Sequence, residues 1–221
     1  MKQLVLDVRP DVPPTLDNFV AGANAALLAA LDATIRGESH LYLWGAPGCG
    51  RSHLLRACVA EALAAGRPAH YLADGVSGAA DETAALIAVD DIERLDEAAQ
   101  IELFNRFNRA RERRQTLLLA GPAAPRELAL REDLRTRVGQ CLIYQVQALD
   151  DASRAAILAG QAQRRGLRIG DDVVDFLLRH GRRDLPSLLA TLDALDQASL
   201  ERKRPITLPL LRELMHGGLR I

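Results

Sequence analysis

The sequence is short of several things, and each shortage excludes a class of protein. It has only three cysteines, Cys49, Cys58 and Cys141, and no C-x-x-C pair. Neither a disulfide framework nor a zinc site is written in such a set, which suits free thiols in a reducing compartment. No stretch approaches the roughly 18 continuous apolar residues of a membrane span, and Met1–Pro14 lacks an export-signal pattern. There is no basic surplus either. Net charge is −1, whereas a protein that grips DNA through its phosphates carries an excess of Lys and Arg. The expectation is a cytoplasmic protein, free of membranes, with no strong direct hold on DNA. Aromatics are 4% of the chain, so its core must be built mainly from Leu and Ala, which favours helices on a sheet over an all-β sandwich.

What is present is ordinary globular composition, 48% hydrophobic and 26% charged, over a length that can bury a core without staples. Residues 1–14 carry three prolines and no helical period, and predict an extended tail. The Ala- and Leu-rich stretch 17–35 predicts a helix. Five short apolar runs follow, at 41–44, 69–72, 86–89, 116–120 and 141–144. Most are continuous, as in strands buried on both faces of a parallel sheet. Helical patterns at 52–65 and 97–113 lie between them, and the alternation predicts a doubly wound α/β sheet. The link 74–84 is short for a parallel crossover. Either it holds a single helical turn, or the strands it joins are not neighbours. Beyond Asp150 strand signals stop, and four helices are expected near 151–165, 171–181, 185–201 and 207–216.

Two motifs carry chemistry. Gly45-Ala46-Pro47-Gly48-Cys49-Gly50-Arg51-Ser52 follows a strand and opens a helix. That is the spacing of a P-loop, with Arg where Lys is usual. Its glycines let backbone N–H groups turn toward a phosphate, and the helix N-terminus adds positive potential. Ser52 is the Mg²⁺ ligand this pattern predicts. Arg51 is a longer, planar fork in place of a compact charge, so nucleotide binding is better supported than hydrolysis. Downstream, the run 86–89 ends in Asp90 and Asp91. A strand-end Asp suits a metal, making Asp90 the second Mg²⁺ candidate and Asp91 the group that polarises water. Arg106, Arg109, Arg111, Arg113 and Arg114 form an arginine-rich stretch. It reads as a solvated face paired with Glu102 and Glu112, with a DNA- or partner-docking face as the other reading.

These motifs resemble those of AAA+ proteins of the bacterial initiator (DnaA) group. Leu16–Asn24 resembles the start of the initiator ATPase domain, beside the adenine. Residues 50–55 resemble its P-loop and following helix, and Val89-Asp90-Asp91-Ile92-Glu93 its Walker B. Within the group, the resemblance is to the regulatory inactivators of the Hda type, and it covers essentially the whole chain. Those regulators carry Arg in the P-loop and end after the lid, where initiators continue into a DNA-binding domain.

The resemblance implies a P-loop AAA+ five-stranded parallel sheet flanked by helices, with a small all-helical lid. It divides the chain into a clamp-binding tail (1–9), a nucleotide-binding α/β domain (10–148) and the lid (149–221). ADP or ATP with Mg²⁺ is expected at Val20, Gly45 to Ser52 and His53, with ADP as the resting nucleotide. Gln3, Leu4, Leu6 and Val8 match the peptide by which such regulators dock on the DNA polymerase sliding clamp (its beta subunit). Arg137 matches the arginine finger offered in trans to the DnaA initiator's ATP, with Arg135 as rival. The implied role is inhibition of DNA replication initiation, with DNA reached only through the clamp and room for a homodimer. An autonomous clamp-loader-type ATPase and a DNA-binding initiator paralogue are the alternatives. Two departures argue against independent hydrolysis. Gly121-Pro122-Ala123 stands where a polar sensor follows the fourth strand. Pro186 stands where a second sensor arginine is expected, unless Arg182 or Arg183 replaces it.

Overall fold

The computed structural model describes residues 13–73, 83–181 and 185–219; the expected clamp peptide at Gln3, Leu4, Leu6 and Val8 and the residues Arg182 and Arg183 lie outside them. Five strands, β1 (Leu41–Trp44), β2 (Ala69–Leu72), β3 (Leu86–Val89), β4 (Thr116–Gly121) and β5 (Leu142–Gln145), form one sheet in the order β2-β3-β4-β1-β5. Every pairing is parallel. β2 and β3 are therefore neighbours, which removes one of the two readings of the short link between them.

Alternation along each central strand sends its residues to two cores. Leu41, Leu43, Leu86, Ala88, Leu118 and Ala120 face one way, against α1 (Ala25–Arg36) and α2 (Arg51–Ala64). Tyr42, Ile87, Val89, Leu117 and Leu119 face the other, against α3 (Glu97–Arg113) and α4 (Glu132–Val138). Both faces are covered, so the runs need no polar side, as a doubly wound sheet requires. β5 departs from the expectation. It is an edge strand, and Leu142 and Ile143 are 44% and 41% exposed.

Four further helices, α5 (Asp151–Arg164), α6 (Asp171–His180), α7 (Leu185–Arg202) and α8 (Leu208–His216), enclose a third core of Leu158, Val173, Leu177, Leu188, Leu195 and Leu211. α5 opens where Asp150 accepts a bond from the Ser153 amide, as an N-cap should. Among the described residues, no helix is long and apolar enough to cross a membrane.

The predicted helix over 17–35 begins only at Ala25. Thr15 and Asn18 exchange side-chain-to-amide bonds, and Gly22 takes a left-handed φ of 48°, so the chain turns instead. Asn24, 3% exposed, spends its side chain elsewhere: Nδ2 donates to the Gln147 carbonyl (3.0 Å) and Oδ1 accepts from the Gln147 amide (2.8 Å). Residues 15–24 thus form a strap whose end is clasped to the stretch between β5 and the lid. Asn24→Ala would leave both main-chain groups of Gln147 without their partner. It should cost about 2 kcal/mol, read as a lower urea midpoint with an unchanged m-value.

Candidate functional site

The site lies at the C-terminal end of the sheet, where a doubly wound fold places its ligands. β4 pairs with β1 on one side, Gly121 opposite Trp44, and with β3 on the other, Leu119 opposite Val89. The loop after β1 and the acids after β3 therefore flank the end of β4.

The loop is the expected P-loop. Gly48 and Gly50 take φ of 77° and 103°, conformations that other residues rarely adopt, and α2 starts directly at Arg51. Ala46, Pro47 and Gly48 are exposed. Cys49 closes the turn with an amide bond to the Ala46 carbonyl and tucks its sulfur into the core, where burial pushes the thiol pKa up. Gly45 has no room for a side chain, since a Cβ would lie 2.8 Å from the Val146 carbonyl. Among the described residues, the amides of Gly48, Gly50 and Ser52 make no protein hydrogen bond. Unpaired donors at a helix N-terminus are the makings of an anion cradle.

The strap walls this loop. The Phe19 ring lies against Gly50, whose Cβ would stand 2.8 Å from it. His53 tilts against Phe19 at 5.8 Å between centroids, and its Nε2 donates to the Thr15 carbonyl at 3.0 Å. His53 thus tethers the strap to α2. Val20, at the strap's surface, is exposed.

On the other flank, Asp90 is 2% exposed. Its Oδ2 accepts from the Tyr71 hydroxyl at 2.8 Å and its Oδ1 from the Asp91 amide at 3.0 Å. Burial, then that bond, pushes the Tyr71 hydroxyl up to about 12. Asp91 sits in the left-handed region at φ 47°, a conformation Asp tolerates and functional sites collect. Its Oδ1 lies 3.8 Å from Arg51 Nη2. Arg51 therefore reaches across the site to the β3 acids, with its side chain 12% exposed and Nη1 buried without a protein partner. Glu93 Oε2 is likewise buried and unpartnered. Burial first, then the neighbouring Asp91, raises its carboxyl pKa, and Arg51 partly offsets this.

Gly121 explains the absent sensor. A Cβ there would lie 2.5 Å from the Tyr42 hydroxyl, which is committed to the Ala123 carbonyl at 2.6 Å. Tyr42 belongs to the fully buried core, so the ring cannot step aside. Phe19 and Glu93 lie within the quoted segments but had no role assigned from sequence, and Tyr42 and Tyr71 were visible only as members of strand runs.

Arg137 is on α4, remote in sequence from these loops. Its Nη2 donates to Asn108 Oδ1 at 2.8 Å and its Nη1 to Gln140 Oε1 at 3.4 Å, with the guanidinium over the Phe104 ring. The Arg135 side chain makes no hydrogen bond or ion pair among the described residues. In the arginine-rich stretch, Arg106 and Arg109 both pair with Glu102. Pro186 falls in the first turn of α7.

Residues 150–215 match the family described as "Hda, lid domain". Across both domains the chain is similar to solved structures at low identity. Domain III of the Thermotoga maritima replication initiation protein DnaA superposes with a TM-score of 0.78 at 18% identity, over 95% of this chain and 98% of that one. AMPPCP-bound DnaA from Aquifex aeolicus gives 0.72 at 22%, over 84% of this chain and 66% of that one. The Thermotoga maritima RuvB Holliday junction branch migration motor gives 0.71 at 21%, over 94% and 75%. The fold is thus the AAA+ fold of DnaA and RuvB, and the chain spans about two thirds of the Aquifex initiator's length.

Gly121→Ala should destabilise the protein by about 1–3 kcal/mol, the cost of overpacking. Removing the obstructing hydroxyl with Tyr42→Phe should recover part of that loss. A thermal double-mutant cycle giving purely additive effects would show that the two groups do not meet.

Proposed function

We propose that this Hda-like, DnaA-related AAA+ protein is a nucleotide-binding regulator that restrains replication initiation. ADP is the nucleotide proposed at rest, its phosphates on the amides of Gly48 to Ser52 and its base toward Val20 and the strap. Residues 3–8 would attach the chain to the sliding clamp, so that DNA is approached only through that partner. Arg137 would then be offered to ATP held by DnaA, where a guanidinium stabilises the charge that develops as the γ-phosphate leaves. The reacting pocket is the partner's; this chain supplies one group to it.

The observation that carries the reading is the contrast at the end of β4. A glycine loop with unpaired amides opens α2, while the position for a polar sensor is Gly121, closed off by the Tyr42 hydroxyl. A protein built this way can hold a nucleotide and has little with which to place an attacking water. The side chain of Arg137 supports its role differently. Asn108, Gln140 and Phe104 fix the guanidinium at the seam of α3 and α4, which lowers the entropy lost when a partner's phosphate meets it.

DnaA's ATP hydrolysis, assayed with clamp-loaded DNA, should lose about a thousandfold of its stimulation with Arg137→Ala and keep most of it with Arg135→Ala. The reverse ranking would transfer the finger to Arg135. The purified chain alone should turn over ATP no faster than background. Robust turnover that vanishes in Asp91→Asn would make it an ATPase in its own right. Clamp retention in a pull-down should be lost in the Gln3→Ala, Leu4→Ala double variant, and equal retention would remove the clamp from the scheme.

A further inference from the structure

We propose that this chain binds its nucleoside diphosphate without a divalent cation, the Arg51 guanidinium supplying the positive charge that a metal ion would bring to the cradle. The inference rests on the nucleotide-binding reading and deepens it.

Mg²⁺ needs oxygens at about 2.0–2.1 Å in near-octahedral array, and it gives up its waters reluctantly. The residues expected to serve it here are Ser52 and Asp90, and the acid is already engaged. One Asp90 oxygen accepts from Tyr71 and the other from the Asp91 amide, so the buried carboxylate works as part of the floor. The second acid, Asp91, faces a cation, Arg51 Nη2 at 3.8 Å. Glu93, two residues on, adds a third carboxylate whose Oε2 is buried without a protein partner. A dication placed among these carboxylates would have to share them with a largely buried guanidinium. The set is no ready-made Mg²⁺ site: each Asp90 oxygen already holds one proton donor, and Asp91 faces Arg51.

It does fit what is there. A guanidinium carries its charge permanently and presents a planar fork. One arm, Nη2, faces Asp91. The other, Nη1, is buried and has no protein partner, a costly state for a charged donor and one that a phosphate oxygen would relieve. Lys, a single point charge, could not span both. One side chain thus does two jobs that a P-loop ordinarily divides between its lysine and its metal: it neutralises phosphate, and it links the nucleotide to the acids at the end of β3.

The test is ADP binding by the full chain, measured calorimetrically in magnesium chloride and in excess EDTA. The two dissociation constants should agree within about threefold. Arg51→Lys should restore a requirement for the ion, binding at least about tenfold tighter with magnesium than without. Tenfold tighter binding of ADP by the unaltered protein in magnesium would overturn the inference and leave the nucleotide reading standing. No ADP binding in either buffer would overturn both. The unaltered protein decides the matter even if the Lys variant does not fold.

Discussion

The position of β4 between β1 and β3 is the constraint from which the site follows. Parallel pairing on both sides brings the P-loop and the β3 acids to the same end of the sheet, one strand apart. What occupies the gap then decides the chemistry. Here it is filled from this chain's own side chains: the Tyr42 hydroxyl over Gly121, and the Arg51 guanidinium leaning to Asp91. Both are fixed by burial, Tyr42 because it is a core residue of β1 and Arg51 because it starts α2. The open face of the site is the loop itself, whose unpaired amides have the arrangement that suits an anion.

Much of this arrangement was legible in the sequence. The strands β1 and β3 fall on the apolar runs that predicted them, because central strands of a doubly wound sheet are buried on both faces and need no polar alternation, and β2 falls on its run although it lies at the sheet's edge. The lid helices lie within a residue or so of their expected ends. What was not legible depends on contacts between distant parts of the chain. Residues 17–24 hold only two alanines among Asp, Asn, Phe, Val and Gly, so the helix keeps to the Ala- and Leu-rich run from Ala25, and Asn24 is free to bond Gln147. α4 is too short to show a period. The exposure of β5 follows from its edge position, which no local pattern reveals.

The site divides the same way. Spacing alone located the glycine-rich loop and the paired acids, since backbone amides and strand-end carboxylates are set by local sequence. Spacing could not say where Arg51 would point, that Tyr71 would claim Asp90, or that Tyr42 would make glycine obligatory at 121. Each of those is a side chain meeting a partner from another strand. Of the departures noted in the sequence, Gly for a polar sensor follows from how Tyr42 packs at the end of the sheet.

The clasp between Asn24 and Gln147 has a mechanical corollary. Val146 is tied by its amide to the Trp44 carbonyl, Gln147 is held at both main-chain groups, and Asp150 already belongs to the cap of α5. Among the described residues, Ala148 and Leu149 are the part of this link without such a tie, and Leu149 lies close to Gly22 of the strap. The strap and the link into the lid are therefore held as one piece, from the Asn18 bond to the Pro13 carbonyl to the Asn24 clasp on Gln147.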